Sequence, residues 1–225
     1  MSEYRYELKF VLSEIEYNEV KLFLLRHRFQ NSYPNRLINS LYFDSIELDS
    51  VGENLSGISN RKKIRLRWYG DSGANPELEI KKRNGRVGNK TKFKIDSLSS
   101  KDLHFLSPKE IQHKTFTFIK ENNNNFVLDK YYSPIIHIDY KRDYYESFNK
   151  VRLTIDKEIN FKPISLYTSI SNTKKISHNK IVMELKFNPK MIEYVSNLIR
   201  KLNLIPQRHS KYLFGVSRLG YAVYI

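Results

Sequence analysis

The sequence contains no cysteine, and this absence limits its chemistry. Without a thiol there is no disulfide, no thiolate metal site and no cysteine nucleophile. No apolar run approaches the roughly 20 residues that a membrane-spanning helix requires. The opening MSEYRYELKF also lacks the basic-then-apolar order of a secretion signal. These features favour a soluble cytoplasmic protein.

Acidic residues are scarce relative to basic ones. The 225 residues include 39 Lys and Arg against 24 Asp and Glu, which gives a formal net charge of +15. Such an excess is typical of proteins with a polyanionic partner, whether nucleic acid, anionic lipid or a phosphate-rich small molecule. Biased codon usage would inflate lysine but not arginine, so the arginines are the better indication. Charge alone does not choose between these partners.

The chain also lacks tandem repeats and any linker rich in Pro, Gly and Ser. Its hydrophobic fraction is 40%, and its length is sufficient for one large domain with a sizeable core. We therefore expect a single domain over residues 1–225.

The stretch RKKIRLRWY, residues 61–69, has the alternation of a β-strand. Side chains of a strand point to opposite faces in turn, so one face would be cationic and the other largely apolar. The cationic face would carry Arg61, Lys63, Arg65 and Arg67, and the other face Lys62, Ile64, Leu66 and Trp68. Like charges at this spacing repel, and nothing within the run offsets them.

Further strands repeat this pattern. They are ELEIKKR, KTKFKI, KVRLTID and KIVMELKF, each with one apolar face and one face dense in charge. One interpretation is an antiparallel sheet that packs on helices and leaves its charged face in water. The other closes the strands into a barrel with the charged faces inside. Buried like charges are costly, so the second interpretation requires a chain of phosphates and a divalent cation in the interior.

Three copies of Glu-x-Lys lie on the charged faces, beginning at Glu7, Glu79 and Glu184. Hard divalent cations take oxygen ligands, and Mg²⁺ or Mn²⁺ commonly bridges a carboxylate to substrate phosphates. Alternatively, each glutamate neutralises a base on a neighbouring strand. Both interpretations stay open, and each can hold for a different residue.

Helix signals complete the pattern. Ser13 and Glu16 have the spacing of a capping box, which predicts a helix over EIEYNEVKLFLLRHRF. Residues 97–120 predict two helices, the second opening at Ser107 with Pro108 in its first turn. A closing helix is predicted at PKMIEYVSNLIRKLN. Turns are predicted at NGRVGN and ENNNNF.

Five segments resemble, in order and spacing, the VTC domain. This is the polyphosphate polymerase domain of the triphosphate tunnel metalloenzyme (CYTH-like) superfamily. The segments are NSLYFDS, IRLRWYG, LEIKK, HNKIVMELKF and SKYLFGV, and the resemblance spans Tyr4 to about Gly220. Related tunnel enzymes begin with Glu-x-Glu-x-Lys, whereas this chain has Arg5 in place of the first glutamate. In this respect it resembles the polymerase branch rather than the hydrolases or cyclases.

The resemblance implies an α+β fold, in which flanking helices surround a closed antiparallel β-barrel of eight strands. It implies ATP and polyphosphate as substrates and Mn²⁺ or Mg²⁺ as cofactor. By resemblance, the catalytic residues are Arg65, Arg67, Lys81 and Lys211, and Glu184 is the metal ligand. Phosphate-binding roles fall to Lys9, Lys90 and Arg142, with Arg152 and Lys186 added from their charged faces. Simple alternation puts Arg142 beside Ile136 and Ile138, so either a bulge re-aims it or this strand has another phase.

Two rival functions stay open. The same fold could hydrolyse tripolyphosphate or nucleoside triphosphates, with water as the acceptor. A non-catalytic module could bind polyphosphate or another polyanion through the same bases. Nucleic acid is not expected as a partner, because the aromatic residues fall largely on apolar faces. A membrane partner is not indicated, and the oligomeric state is not predicted.

Overall fold

The computed structural model describes residues 5–70, 74–84, 87–123 and 128–221. The chain divides into two compact units. The first comprises Met1–Leu37, Tyr140–Ile159 and Ser177–Ser210, and the second comprises Ile38–Asp139, Asn160–Ile176 and Lys211–Ile225. Each unit has its own cluster of buried hydrophobic side chains. The single domain over 1–225 stays a prediction, and the two units are described separately below.

Nine strands and five α-helices follow one another along the described chain. The strands are β1 (Tyr6–Leu12), β2 (Gln30–Asp44), β3 (Asn60–Tyr69), β4 (Glu77–Asn84), β5 (Val87–Lys94), β6 (Ser133–Glu146), β7 (Arg152–Pro163), β8 (Ile176–His178) and β9 (Ile181–Phe187). The helices are α1 (Glu14–Arg26), α2 (Asp49–Leu55), α3 (Pro108–Asn122), α4 (Ile192–Leu202) and α5 (Lys211–Arg218). No helix within the described ranges is long and apolar enough to span a membrane.

The strands form one sheet in the order β1-β9-β7-β6-β2-β3-β4-β5, and β8 pairs with β7 beside this path. The predicted α+β class with an antiparallel sheet and helices is confirmed. The prediction of a closed eight-stranded barrel is wrong for this structure. The sheet has nine strands, and within the described residues its two end strands, β1 and β5, do not pair with each other. Alternation along a strand specifies its two faces, but it contains no information on whether the first and last strands meet.

The core of the first unit lies under β1, β7 and β9. Alternate residues of these strands are fully buried, among them Phe10, Leu153 and Met183, and they pack against α1 and α4. Helix α1 begins with the predicted capping box, in which the Ser13 hydroxyl accepts from the Glu16 N–H and the Glu16 carboxylate accepts from the Ser13 N–H. The apolar faces predicted for KVRLTID and KIVMELKF, which form part of β7 and β9, are thereby confirmed.

The core of the second unit lies under β3 and β4. Ile64, Leu66 and Trp68 are buried, as the alternation of RKKIRLRWY predicts, and they cluster with residues of β4 and of α3. Helix α3 has the predicted capping box between Ser107 and Glu110. The helix expected before it is only a 3₁₀ turn at Asp102–His104. The predicted turns at 84–89 and 121–126 lie partly outside the described residues.

Helix α5 approaches the strands of the second unit through a glycine. A Cβ atom on Gly215 would lie 2.6 Å from the Cδ1 atoms of both Ile136 and Phe161. Real Cβ contacts do not reach such distances, so a larger residue would force the helix away from β6 and β7. The glycine of SKYLFGV therefore brings α5 and its first residues, Lys211 and Tyr212, close to the sheet.

Candidate phosphate-binding site

Strands β3, β4 and β5 of the second unit place bases directly opposite one another. Lys63 pairs in register with Lys81, and Lys81 pairs with Lys90. In the next row along the strands, Arg65 lies opposite Glu79 and Glu79 lies opposite Lys92. Directly opposed residues share a face, so the cationic face predicted for RKKIRLRWY continues across three strands. Three lysines therefore lie in one row across the three strands, which gives this face a high density of positive charge.

Glu79 is the central acceptor of this face, and its side chain is only 2% exposed. Its Oε2 accepts from Nε of Arg65 at 2.6 Å, and its Oε1 accepts from Nζ of Lys90 at 2.6 Å. Nη1 of Arg67 lies 3.9 Å from the same Oε1. The carboxylate therefore neutralises part of the charge and fixes the Arg65 guanidinium. This supports the neutralising interpretation of Glu-x-Lys for Glu79.

The charges around Glu79 dominate its ionisation. Burial alone would raise the pKa of this carboxyl, but the positive charges of Arg65 and Arg67 and the hydrogen bond from Lys90 lower it to about 2. Burial in turn lowers the pKa of the Lys90 ammonium, and the hydrogen bond to Glu79 only partly offsets this effect. Glu79 is therefore ionised at neutral pH.

Tyr42 of β2 lies opposite Arg65 in the sheet register. Its hydroxyl oxygen accepts a hydrogen bond from Nη1 of Arg65 at 3.2 Å. Its ring stacks on the ring of Tyr212 in α5, with centroids 4.9 Å apart and planes 15° from parallel. The Tyr212 hydroxyl donates to Oδ2 of the fully buried Asp44 at 2.5 Å. Tyr42 is thus held between Arg65 and α5.

The other predicted residues of this unit differ in how far they are exposed to water. Lys81 is exposed on β4, and Lys211, the first residue of α5, is half-buried. Arg67 is 8% exposed, so its guanidinium is largely withdrawn from water. The structure thus groups Arg65, Arg67 and Lys90 around Glu79 and places Lys81 beside them.

The first unit has a second charged cluster, on β1 and β9. Glu184 lies opposite Lys9, and Lys186 lies opposite Glu7. Nζ of Lys186 forms an ion pair with Oε1 of Glu184 and lies 3.8 Å from Oε2 of Glu7. Nζ of Lys9 is 3.0 Å from Oε1 of Glu7 and donates to the carbonyl oxygen of His209 at 3.3 Å. Two carboxylates and two lysines therefore alternate on this face.

Glu184 is the more buried of the two carboxylates, at 8% exposed. Burial would raise its pKa, but the charges of Lys186, Lys9 and Arg142 lower it to about 2. For Glu7, burial and the nearby Glu184 oppose ionisation, and Lys9 and Lys186 outweigh them, so its pKa is also lowered. Both groups are ionised at neutral pH.

Arg142 of β6 belongs to this charged cluster. Its Nε and Nη2 atoms donate to the two carboxylate oxygens of the fully buried Asp156, at 2.5 and 2.7 Å. Burial would lower the pKa of this arginine, but Tyr140, the charge of Asp156 and the hydrogen bonds to Asp156 raise it, and Glu184 adds to the rise. Alternation misplaced this residue because β6 buries consecutive residues from Ile136 to Ile138, so its pattern does not separate two faces.

Arg152 of β7 lies opposite Lys186 and is exposed. Both residues line a cavity of about 290 Å³, together with Arg5, Lys150 and Glu146. Glu146 is already paired with Lys150 at 3.1 Å. The cavity is therefore cationic, and its lining includes two of the predicted phosphate-binding residues.

The carboxylates of the first unit fit a divalent cation only in part. Within residues 5–70, 74–84, 87–123 and 128–221, no three His, Asp or Glu side chains cluster closely enough to hold a metal ion. Glu184 and Glu7, which are ionised and share Lys186 as a partner, match a cation that keeps water and phosphate oxygens as its other ligands. Mg²⁺ commonly binds in this way, so the donor set fits such a cation once substrate is present.

The predicted set lacks several residues that these contacts involve, namely Tyr42, Asp44, Asp156 and Tyr212. Tyr42, Asp44 and Asp156 follow the alternation of their strands onto the charged side. Tyr42 was overlooked because tyrosine counts as apolar in a hydropathy pattern. The hydroxyl group of Tyr42 in NSLYFDS was the signal in the sequence that could have identified it as a site residue.

The family model of the VTC domain matches residues 4–220. The chain therefore belongs to the VTC domain family, and the predicted membership is confirmed. Over 151 residues it is 24% identical to the vacuolar transporter chaperone complex subunit 2 of Saccharomyces cerevisiae. That alignment covers 56% of this chain but only 18% of the yeast protein. The chain thus corresponds to a small part of its relative.

Two solved structures share the fold. One is a Hippeastrum protein proposed to be an adenylyl cyclase, in which a triphosphatase activity is described as dominant. It superposes with a TM-score of 0.54 at 16% identity, over 95% of each chain. The other is a protein of Pyrococcus horikoshii, with a TM-score of 0.52 at 13% identity, over 96% of this chain and 99% of that one. At these identities the likeness shows the fold alone.

Proposed function

We propose that this chain is an ATP-dependent polyphosphate polymerase, which transfers the γ-phosphate of ATP to the end of a polyphosphate chain. Membership of the VTC domain family supports this proposal. The observation that carries it is the lysine row of Lys63, Lys81 and Lys90, next to an Arg65 that Glu79 already orients. Three lysines opposed across β3, β4 and β5 set a line of positive charge beside Arg65, which a chain of phosphates can follow.

Each cluster has its own part in the proposal. In the second unit, Arg65 and Arg67 bind the triphosphate, because guanidinium groups match phosphate oxygens with two donors, and Lys81, Lys90 and Lys211 add charge. In the first unit, Lys9, Arg142, Arg152 and Lys186 bind phosphates. Glu184 and Glu7 would hold Mn²⁺ or Mg²⁺, which when bound supplies positive charge to the phosphate oxygens.

Phosphoryl transfer requires mainly alignment and charge neutralisation from a protein. A terminal oxygen of polyphosphate forms the new P–O bond to the γ-phosphorus, the bond to the β-phosphate oxygen breaks, and ADP leaves. The attacking oxygen is already anionic near neutral pH, so no general base is needed.

Incubation of the purified protein with ATP and Mn²⁺, followed by phosphorus NMR, tests the proposal. A growing signal from internal polyphosphate phosphates, together with ADP, is the expected result. The Hippeastrum likeness favours a second candidate, a triphosphatase. Orthophosphate with ADP and no polymer would establish that candidate, and unchanged ATP with every metal tested would favour a non-catalytic polyanion-binding module.

Substitution of Glu184 tests the metal role. Glu184→Gln keeps the shape of the side chain but removes a ligand charge, so activity should fall and should need more Mn²⁺ to reach half of its maximum. Glu158→Gln is the matched control, because Glu158 belongs to the same unit and pairs with the exposed Lys141. An unchanged Mn²⁺ response in the Glu184 variant would remove this residue from the metal site.

A further inference from the structure

Tyr42 is in direct contact with the arginine that the proposed function assigns to phosphate. Its hydroxyl oxygen accepts from Nη1 of Arg65, while Nε of the same guanidinium donates to Glu79 and Nη2 lies 2.5 Å from the same carboxylate oxygen. The guanidinium is thus fixed on two sides. Because the Tyr42 oxygen already accepts a hydrogen bond, its own proton can be donated to another acceptor, such as a phosphate oxygen.

The position of Tyr42 is itself determined by a rigid support. Tyr212, 2% exposed, stacks on the Tyr42 ring and donates to Asp44. The second oxygen of Asp44 accepts from the backbone N–H groups of Ser45 and Ser50 at 2.9 and 3.0 Å. Gly215 brings the helix that carries Tyr212 against the strands. The tyrosine therefore has little freedom to turn away from Arg65.

We infer that Tyr42 is a positioning residue for Arg65, and that it must carry its hydroxyl proton when a phosphate chain binds there. A phenolate in this position would neutralise Arg65 internally and repel phosphate, whereas a phenol orients the guanidinium and offers a donor. Binding of a phosphate chain would then be coupled to uptake of a proton. The inference rests on the proposed phosphate-binding role of Arg65.

The charges around Tyr42 bring the pKa of its phenol close to neutral pH. Burial alone would raise the pKa of this phenol, but the charges of Arg65 and Arg67 and the hydrogen bond from Arg65 lower it to about 8. Near pH 8 a substantial fraction of the free protein therefore has an ionised Tyr42. A bound anion raises the pKa of the phenol again. By linkage, ionisation of the phenol lowers the affinity of the protein for the anion.

Several other charged or titratable groups face Tyr42 or the arginines beside it. They are Lys63, Arg65 and Arg67 of β3, Glu79 of β4, Lys90 of β5, Tyr212 of α5 and Asp44 of β2. Burial lowers the pKa of Lys90, so this lysine also loses charge as the pH rises. The effect of Tyr42 on binding is therefore measured as the difference between the wild type and Tyr42→Phe. Lys90 and the ligand titrate in the same way with both proteins, so their contributions cancel.

Calorimetric titration with tripolyphosphate, without metal or ATP, provides the test. Between pH 7 and pH 9 the wild-type affinity should fall about tenfold more than that of Tyr42→Phe. In buffers of different ionisation enthalpy at pH 8, the wild type should take up about half a proton more per bound tripolyphosphate than the variant. Tyr131→Phe, which changes an exposed tyrosine of the same unit, should behave like the wild type.

Binding with the same pH profile and proton uptake in Tyr42→Phe would overturn this inference and leave the proposed function intact. Absence of tripolyphosphate binding by the folded wild type would overturn both. If Tyr42→Phe fails to fold, carbon NMR of ring-labelled tyrosine in the wild type decides the matter. One tyrosine should titrate near pH 8 and shift upward with tripolyphosphate, and a ligand-independent titration would contradict the inference.

Discussion

Arg65 is the residue whose role depends most on geometry rather than charge. Its Nε and Nη2 atoms are both committed to Oε2 of Glu79, so the plane of the guanidinium is set before any ligand arrives. Lysine cannot reproduce this fork, because its ammonium group is a single point of charge. The orientation of Arg65 is thus a property of the folded protein itself.

The double variant Arg65→Ala with Arg67→Ala should lose polyphosphate synthesis by at least about a hundredfold, because two donors to the transferred phosphate disappear. Lys90 still pairs with Glu79 in this variant, so the fold should persist, which circular dichroism checks. Arg65→Lys separates charge from geometry and should also lose most activity. Lys82→Ala, on the other side of β4 from Glu79, is the control. Wild-type turnover in the folded double variant would contradict the assignment.

Glu79 should make the free energy of unfolding decrease as the pH falls. Its pKa is about 2 in the folded protein against an ordinary value of 4.5, so its stabilising contribution is complete above pH 4.5 and is lost as the pH falls towards 2. The shift corresponds to about 3 kcal/mol. Thermal unfolding measured from pH 7 to pH 3 should show a smaller decline in Glu79→Gln than in the wild type. Glu77→Gln, at a neighbouring carboxylate 32% exposed, should change the decline less.

The charged faces could be predicted from sequence, but the contacts on them could not. Alternation located Arg65, Glu79 and Lys90 because the apolar residues of β3, β4 and β5, such as Leu66, Leu78 and Phe93, all fall on the opposite face and pack in the core. It could not show that Glu79 accepts from both bases, since that depends on the register between strands. Alternation also misplaced Arg142, because β6 buries consecutive residues on both of its faces. The pairing of Arg142 with Asp156 could not be read from such a pattern.

At the scale of the element, local signals gave the more reliable predictions. Ser13 and Ser107 begin α1 and α3 as their spacing to Glu16 and Glu110 indicates, because a capping box depends only on neighbours in the chain. Closure of the sheet depends on whether β1 and β5 pair with each other. These strands are far apart in the sequence, so no local sequence pattern indicates whether they do. The residues 102–104 form only a 3₁₀ turn, since this stretch buries a single leucine, Leu103.

Removal of either cap should weaken its own helix. Ser13→Ala and Ser107→Ala should each reduce the free energy of unfolding by about 1 kcal/mol, because the serine hydroxyl no longer accepts from the glutamate N–H or donates to the glutamate carboxylate. Ser13→Asp and Ser107→Asp should restore most of this loss. Urea denaturation followed by circular dichroism provides the measurement. A loss below the error of the method in both alanine variants would show that the caps are not needed.

At the scale of the whole molecule, the net charge of +15 governs how polyanions approach. Long-range attraction between a basic protein and a phosphate chain is screened by salt. The affinity for long-chain polyphosphate should therefore fall as a straight line in a plot of log K against log salt concentration. The affinity for tripolyphosphate should fall less steeply, because it contacts fewer bases. Equal slopes for both ligands would indicate that only one local cluster is engaged.

The closeness of α5 to its strands has a consequence for how this sequence can vary. At Gly215 even the smallest side chain meets Ile136 and Phe161 at 2.6 Å, whereas a Cβ on Gly52 would meet nothing within 4 Å. In a library that samples all amino acids at every position, selection for the folded protein should leave position 215 almost invariant and position 52 permissive. The glycine in SKYLFGV is then a packing requirement, and its retention alone would carry no information about catalysis.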